Sequence, residues 1–224
     1  MKIISISIDS KSERYYKFLK NNNHLKIKTF NAIIGKNLSE EKILAENLAT
    51  KDLLYDERCF SYGAIGCAAS HKAIWKDSID KNENFLVLED DCCTNPKIEE
   101  FIEKNIKILN ECDICFFGMS TNSVIHIKTL QGLQFSSIGF DPSYPTFDWI
   151  KNAFNQTDIN NIIFNKLIIG FGTWCYYITP LGAKKLTELI FPLSLNKIEI
   201  PLINNGKSRI MPLISIDRSG CSIY

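Results

Sequence analysis

Three carboxylates stand in a row, Glu89, Asp90 and Asp91, directly after the apolar run of residues 84–88 (NFLVL). In open α/β sheets, ligands bind in the crevice beyond the carboxyl ends of the strands. Acids that close a buried strand therefore face such a crevice. Side chains two apart on extended backbone point the same way, so Glu89 and Asp91 are expected on one side and Asp90 on the other. Neighbouring carboxylates repel one another unless a cation lies between them. Hard oxygen donors combined with substrate phosphates suit Mg2+ or Mn2+. The spacing suggests a divalent metal, Mn2+ or Mg2+, on Glu89 and Asp91, with Asp90 in support, gripping a diphosphate. The same acids would serve a phosphatase or a receiver-like phosphoacceptor domain, although those place their acids after the first strand. A solvated acidic turn, with Asp91 helping to cap a helix, is the plainest alternative.

A second cluster lies upstream. Residues 61–66 (SYGAIG) read as a glycine turn into a long helix over about 67–79, with Gly63 and Gly66 supplying backbone freedom. Ser70 and His71 would then sit in the first helical turns, where backbone N–H groups attract anions. His71 could bond a phosphate or an acceptor hydroxyl, or be a satisfied structural residue. Arg14 could pair with a diphosphate or make a helix-surface ion pair. His24 and His126 have no supporting context. Cys112-x-x-Cys115 is a single CxxC in a buried strand pattern with no second pair to complete a tetrahedral zinc site, so it reads as two small core residues.

These residues must be carried by something. Residues 2–8 and 27–34 read as strands, and Ser10-x-x-Glu13 as a capping box opening a helix to about Leu19. Ser39 can N-cap a helix beginning Glu40-Glu41. Pro96 starts a helix through about Leu109, followed by a buried strand at 113–118. Alternation of strands and helices in the first half argues for an α/β sheet with parallel strands. Residues 120–165 read as a long irregular functional segment, 173–179 as a strand, 180–190 as a helix opening on proline, and the tail as short strand-like runs broken at 204–206 and Pro212.

The chain has 224 residues and a formal net charge of +1, which gives no broad field to recruit nucleic acid. The first apolar stretch is strand-length, and no segment approaches the roughly 18 apolar residues of a membrane span. A soluble cytoplasmic protein is expected, with its eight cysteines reduced.

Four blocks together resemble the family 25 glycosyltransferases, which include bacterial lipooligosaccharide galactosyltransferases. They are Ile6-Ser7-Ile8-Asp9-Ser10 with Glu13-Arg14, residues 30–38 (FNAIIGKNL), residues 63–71 (GAIGCAASH) with Trp75, and Leu88-Glu89-Asp90-Asp91. A looser fifth block runs from Gly170-x-Gly172-Thr173 through Tyr177-Ile178 to Gly182-Ala183. Where the family has Glu, Asp, Asn and Arg, this chain has Ala64, Ile34, Ser7 and Ser10. Its Pro192-Leu193-Ser194 stands in for a Pro-x-Asp.

The resemblance implies a single-domain α/β protein with a GT-A-like (Rossmann-like) mixed sheet flanked by helices. A nucleotide-sugar half at 1–118 and an acceptor-side half at 119–224 are expected. It implies transfer of a hexose, galactose being the expected one, from a UDP-sugar to a lipooligosaccharide or other surface glycan, metal-dependent and inverting. Asp90 and Asp91 are then catalytic, and Glu89 and Asp91 are metal ligands. Ser7, Asp9, Arg14, Ala32, Gly63, Gly66, Ser70, His71 and Asp90 fall on the donor side. An inverting transfer needs a base across the cleft, for which Asp141, Asp148 and Glu199 are candidates. Thr173, Trp174 and Tyr176 are placed on the acceptor side, and Trp149, Tyr144 and Phe147 could also stack on sugar rings. Glycolipid acceptors would bring peripheral contact with the inner membrane. Two other readings stay open: a catalytically impaired nucleotide-sugar-binding protein, given Ala64 and Ile34, and a metal-dependent phosphoryl-transfer enzyme.

Overall fold

The computed structural model describes residues 1–118, 124–129, 134–138, 146–170, 172–201 and 208–212. In chain order the first elements are β1 (Lys2–Ser7), α1 (Glu13–Asn21), β2 (Ile27–Asn31), α2 (Glu40–Ala45), α3 (Lys51–Leu54), α4 (Tyr62–Lys81) and β3 (Phe85–Glu89). Next come α5 (Ile98–Lys104), α6 (Ile106–Glu111), β4 (Ile114–Phe116), β5 (Val124–Lys128), β6 (Gln134–Ile138), α7 (Phe147–Gln156) and β7 (Lys166–Ile169). The last are β8 (Cys175–Ile178), α8 (Pro180–Ile190), β9 (Lys197–Pro201) and β10 (Ser208–Pro212).

The main sheet has the order β2-β1-β3-β8-β4. β1 runs parallel to β2 and β3, whereas β8 runs antiparallel to β3 and β4. The sheet is thus mixed rather than wholly parallel, because a strand from the second half inserts between two strands of the first. Side chains alternate between two cores. Ile4, Phe85, Val87, Tyr176 and Ile178 pack with α4 and α8, and Ile3, Leu86, Leu88, Cys175 and Tyr177 pack with α1, α5 and α6. β3 is apolar on both faces, as a strand covered on both sides must be. Full burial of each large side chain contributes about 1.5–3 kcal/mol.

Several local expectations change. α1 is capped by Ser12, whose hydroxyl accepts from Tyr15 N, rather than by Ser10. Residues 61–66 do not form a turn: Ser61 caps α4, and Gly63 and Gly66 lie inside it. The reason is packing. A Cβ on Gly66 would stand 2.5 Å from Ile33 O, and one on Gly35 would stand 1.9 Å from Tyr62 O, so both glycines let α4 approach the chain after β2. The stretch 120–165 is not irregular throughout. Its described residues include β5, β6 and α7, and β5 pairs antiparallel with β6 and β7 in a separate sheet. β9 and β10 form an antiparallel pair, while Asn204-Asn205-Gly206 lies outside the described residues. No described helix is long and apolar enough to cross a membrane.

Candidate active site

In a sheet ordered 2-1-3, connections leave β1 to opposite sides, so a crevice opens at the carboxyl ends of β1 and β3. Ser7 ends β1, Glu89 ends β3, and β8, being antiparallel, brings its beginning to the same edge. Glu89 N donates to Trp174 O at 2.8 Å, and Ala32 N donates to Ser7 O at 2.8 Å, which ties the ends of four segments together.

The pleat divides the acids. Glu89 follows Phe85 and Val87 onto the α4 face, and Asp90 follows Leu86 and Leu88 onto the α1 face. Asp90 is 8% exposed and accepts from Ser7 Oγ at 2.7 Å and from Arg14 at 2.6 Å. β3 ends at Glu89, the chain turns, and Asp91 reaches the same Arg14 guanidinium at 3.2 Å. Arg14 thus pairs with the acids across the sheet edge instead of standing as a surface ion pair on its own helix.

On the α4 face, Glu89 accepts a short hydrogen bond from Thr173 Oγ1 and lies 3.6 Å from His71 Nε2. Burial pushes the Glu89 carboxyl up, but His71, Thr173 and Arg14 outweigh it and hold the group below the usual carboxylate range. Asp91 goes the other way: burial and the neighbouring Glu89 raise it, and Arg14 offsets only part of this. That imbalance, with oxygen donors on a partly exposed Asp91, fits a hard divalent ion better than it fits a closed salt bridge.

His71 is not in the first turn of its helix. It lies in the third turn, 1% exposed, with Nδ1 2.6 Å from Tyr176 Oη, which also accepts from Trp75 Nε1 at 3.0 Å. Indole N–H only donates, so Tyr176 Oη is the acceptor towards Trp75 while it also pairs with His71 Nδ1. Ser70 is also structural: its hydroxyl donates to Gly66 O and accepts from Ile33 N, both at 2.8 Å. The anion-binding helix start expected for Ser70 and His71 is therefore absent from these positions.

Other expected residues scatter. Asp9 is exposed and accepts from Lys11 N, forming the turn into α1. Tyr176, expected on the acceptor side, is fully buried between His71 and Trp75, and burial drives its hydroxyl well above its usual range. Thr173 grips Glu89, and the Trp174 side chain is partly buried against the α1-side core. Asp148 is exposed in the first turn of α7. Glu199 lies in β9 opposite Ile210. Asp141 and Tyr144 fall outside the described residues. His126 is buried rather than superficial, and His24 bonds Thr94 Oγ1 at 3.0 Å. The seven described cysteines form no disulfide, and burial pushes Cys115 up to about 12, as core residues require.

Sequence reasoning missed Cys67. Its Sγ, a ring nitrogen of His71 and a Glu89 oxygen lie within 4.8 Å of one another, a grouping that could hold a metal ion. The signal was the four-residue spacing of Cys67 and His71, which shares a helix face.

A sequence model described as "Glycosyltransferase family 25 (LPS biosynthesis protein)" matches residues 1–200. The chain belongs to glycosyltransferase family 25. It is 28% identical over 120 residues to procollagen galactosyltransferase 2 of Homo sapiens and equally to that of Mus musculus. Each match covers 50% of this chain but only 18% of the relative's length. The matched stretch of this chain spans less than a fifth of those relatives. Its crevice residues Ser7, Arg14 and Glu89–Asp91 and the α4 cluster all fall inside the matched region.

Proposed function

We propose that the protein transfers galactose from UDP-galactose to a lipooligosaccharide or other surface-glycan acceptor, with inversion and with a divalent ion, Mn2+ or Mg2+. The observation that supports this reading is the charge balance at the sheet's carboxyl edge: Asp90 and Asp91 share one guanidinium, and burial and the neighbouring Glu89 raise Asp91. Asp91 and Glu89 would hold the ion, which when bound supplies neutralisation of charge on a departing diphosphate. Galactose as the sugar follows the relatives' printed name.

The chain's own residues have separate tasks in this reading. Ser7 and Arg14 fix Asp90, so the turn after β3 keeps one shape. Thr173 orients Glu89. Asp9 and Ala32, at the ends of β1 and β2, line the nucleoside side. Trp174 and the exposed Trp149 offer ring faces to sugars. The acceptor hydroxyl attacks the anomeric carbon as its bond to the diphosphate breaks, and a carboxylate takes the hydroxyl proton. Asp148 and Glu199 are the residues to replace in search of that base. The reaction belongs in the cytoplasm, in peripheral contact with the inner membrane where glycolipid acceptors lie.

Incubation with UDP-galactose, Mn2+ and lipooligosaccharide should release UDP and lengthen the acceptor. Asp91→Ala should slow release on the order of 10²-fold. Absence of both binding and UDP release across a panel of UDP-sugars overturns the reading, and calorimetric binding without turnover would favour an accessory protein.

A further inference from the structure

We infer that Cys67, His71 and Glu89 form a second cation site, on the α4 face of the sheet, selective for a borderline ion of the Zn2+ class. Cys67 and His71 are one turn apart on α4, and their donor atoms and a Glu89 oxygen lie within 4.8 Å of one another. His71 Nε2 is buried, has no hydrogen-bond partner and stands 3.6 Å from Glu89 Oε1, beyond hydrogen-bond length. A buried ring nitrogen without a partner calls for an explanation. The ring is held from turning to find one, because Tyr176 Oη, itself anchored by Trp75 Nε1, bonds its other nitrogen.

The donor chemistry names the ion. Thiolate, imidazole and carboxylate are zinc ligands, and three protein ligands leave a fourth position open. Hard ions such as Mg2+ and Mn2+ prefer an all-oxygen set. The surroundings match too. A metal-bound histidine donates its other ring N–H to an oxygen that fixes it, and Tyr176 Oη sits 2.6 Å from Nδ1. Thr173 Oγ1 also holds Glu89 Oε1, the oxygen that faces His71. On binding, Cys67 releases its thiol proton to solvent, the remaining imidazole proton resides on Nδ1, and Tyr176 Oη accepts it.

The inference does not depend on the sugar donor, so its test omits nucleotide sugars and can fail separately from the transferase reading. The metal-free full chain is titrated with Co2+ in a non-chelating reductant. One equivalent should produce a near-ultraviolet thiolate-to-cobalt charge-transfer band that Zn2+ displaces. Cys67→Ser should abolish the band, and Tyr176→Phe should weaken Co2+ binding by about 10–100-fold. Asp91→Asn should leave the thiolate-to-cobalt band intact. Circular dichroism checks folding, and Cys67→Ser, a one-atom exchange, decides the matter if the tyrosine variant unfolds. Absence of the band at saturating Co2+, or Zn2+ affinity unchanged in Cys67→Ser, overturns the inference.

Discussion

Glu89 and Asp91 are two residues apart, and although burial raises both, their partners shift them to opposite sides of the usual carboxylate range. Glu89 has His71 and Thr173 beside it and is held below its usual range, whereas Asp91 shares one guanidinium with Asp90 and is raised. The sign of each stability effect follows. A depressed acid contributes stability above its unfolded value, near 4.3, and loses it as pH falls through the folded value. Without added metal, Glu89→Gln should therefore be less stable than the parent at neutral pH, with the gap closing below about pH 4. A raised acid contributes its stability below the unfolded value and loses it as pH rises through the folded one. Asp91→Asn should be more stable than the parent at neutral pH and gain nothing near pH 3. Urea titrations of both variants at the two pH values read these signs, and a shared sign would contradict the environments described. Tyr176→Phe strips Trp75 Nε1 and His71 Nδ1 of their common partner. It should cost about 1–3 kcal/mol by urea denaturation. Legibility was uneven at this scale. The acids could be picked out because three charges after an apolar run are rare, but the Tyr176 hydroxyl gave no local sign that it would be turned inward.

At the scale of elements, α4 shows how a glycine's meaning depends on its neighbours. Gly63 and Gly66 look alike in sequence, and both suggest a turn. In the fold both are helical, but Gly66 meets Ile33 O and Gly35 N, while Gly63 meets only Ser61 Oγ at 3.5 Å. Gly66→Ala should destabilise by at least about 1–3 kcal/mol through overpacking. Gly63→Ala should stabilise by roughly 0.5–1 kcal/mol, since alanine is the better helix former. Thermal melts of the pair make the comparison, and equal shifts would mean that α4 is free to move off the chain after β2. Helix starts were more legible than helix function. Ser39 caps α2 as its residue type suggests, and Pro180 opens α8 after Thr179 accepts from Gly182 N. Such caps are satisfied within a few residues, so the chain itself carries the information. Whether a helix start faces a ligand or a neighbouring strand is not local, which is why Ser70 and His71 proved to be interior residues.

At the scale of the molecule, the sheet is completed from far along the chain. β8 enters between β3 and β4 and contributes Tyr176 and Tyr177, one to each core. The first half therefore lacks the strand that covers one edge of β3. A fragment of residues 1–118 should fail to fold alone, giving poor amide dispersion by NMR and no cooperative melt, although it carries all three crevice acids. A cooperative fragment would show that β8 is dispensable. The chain's pattern alone determined that this is an α/β protein, that β3 is buried on both faces, and that three acids close it, because apolar periodicity and strand-end charge are written in neighbouring residues. It also carried the family blocks. Only the tertiary structure decided that β8 enters between β3 and β4, that Arg14 and Ser7 take Asp90, and that Cys67 and His71 meet Glu89. Those outcomes depend on contacts between segments dozens of residues apart, where a side chain's partner is set by strand order and pleat rather than by its neighbours in the chain.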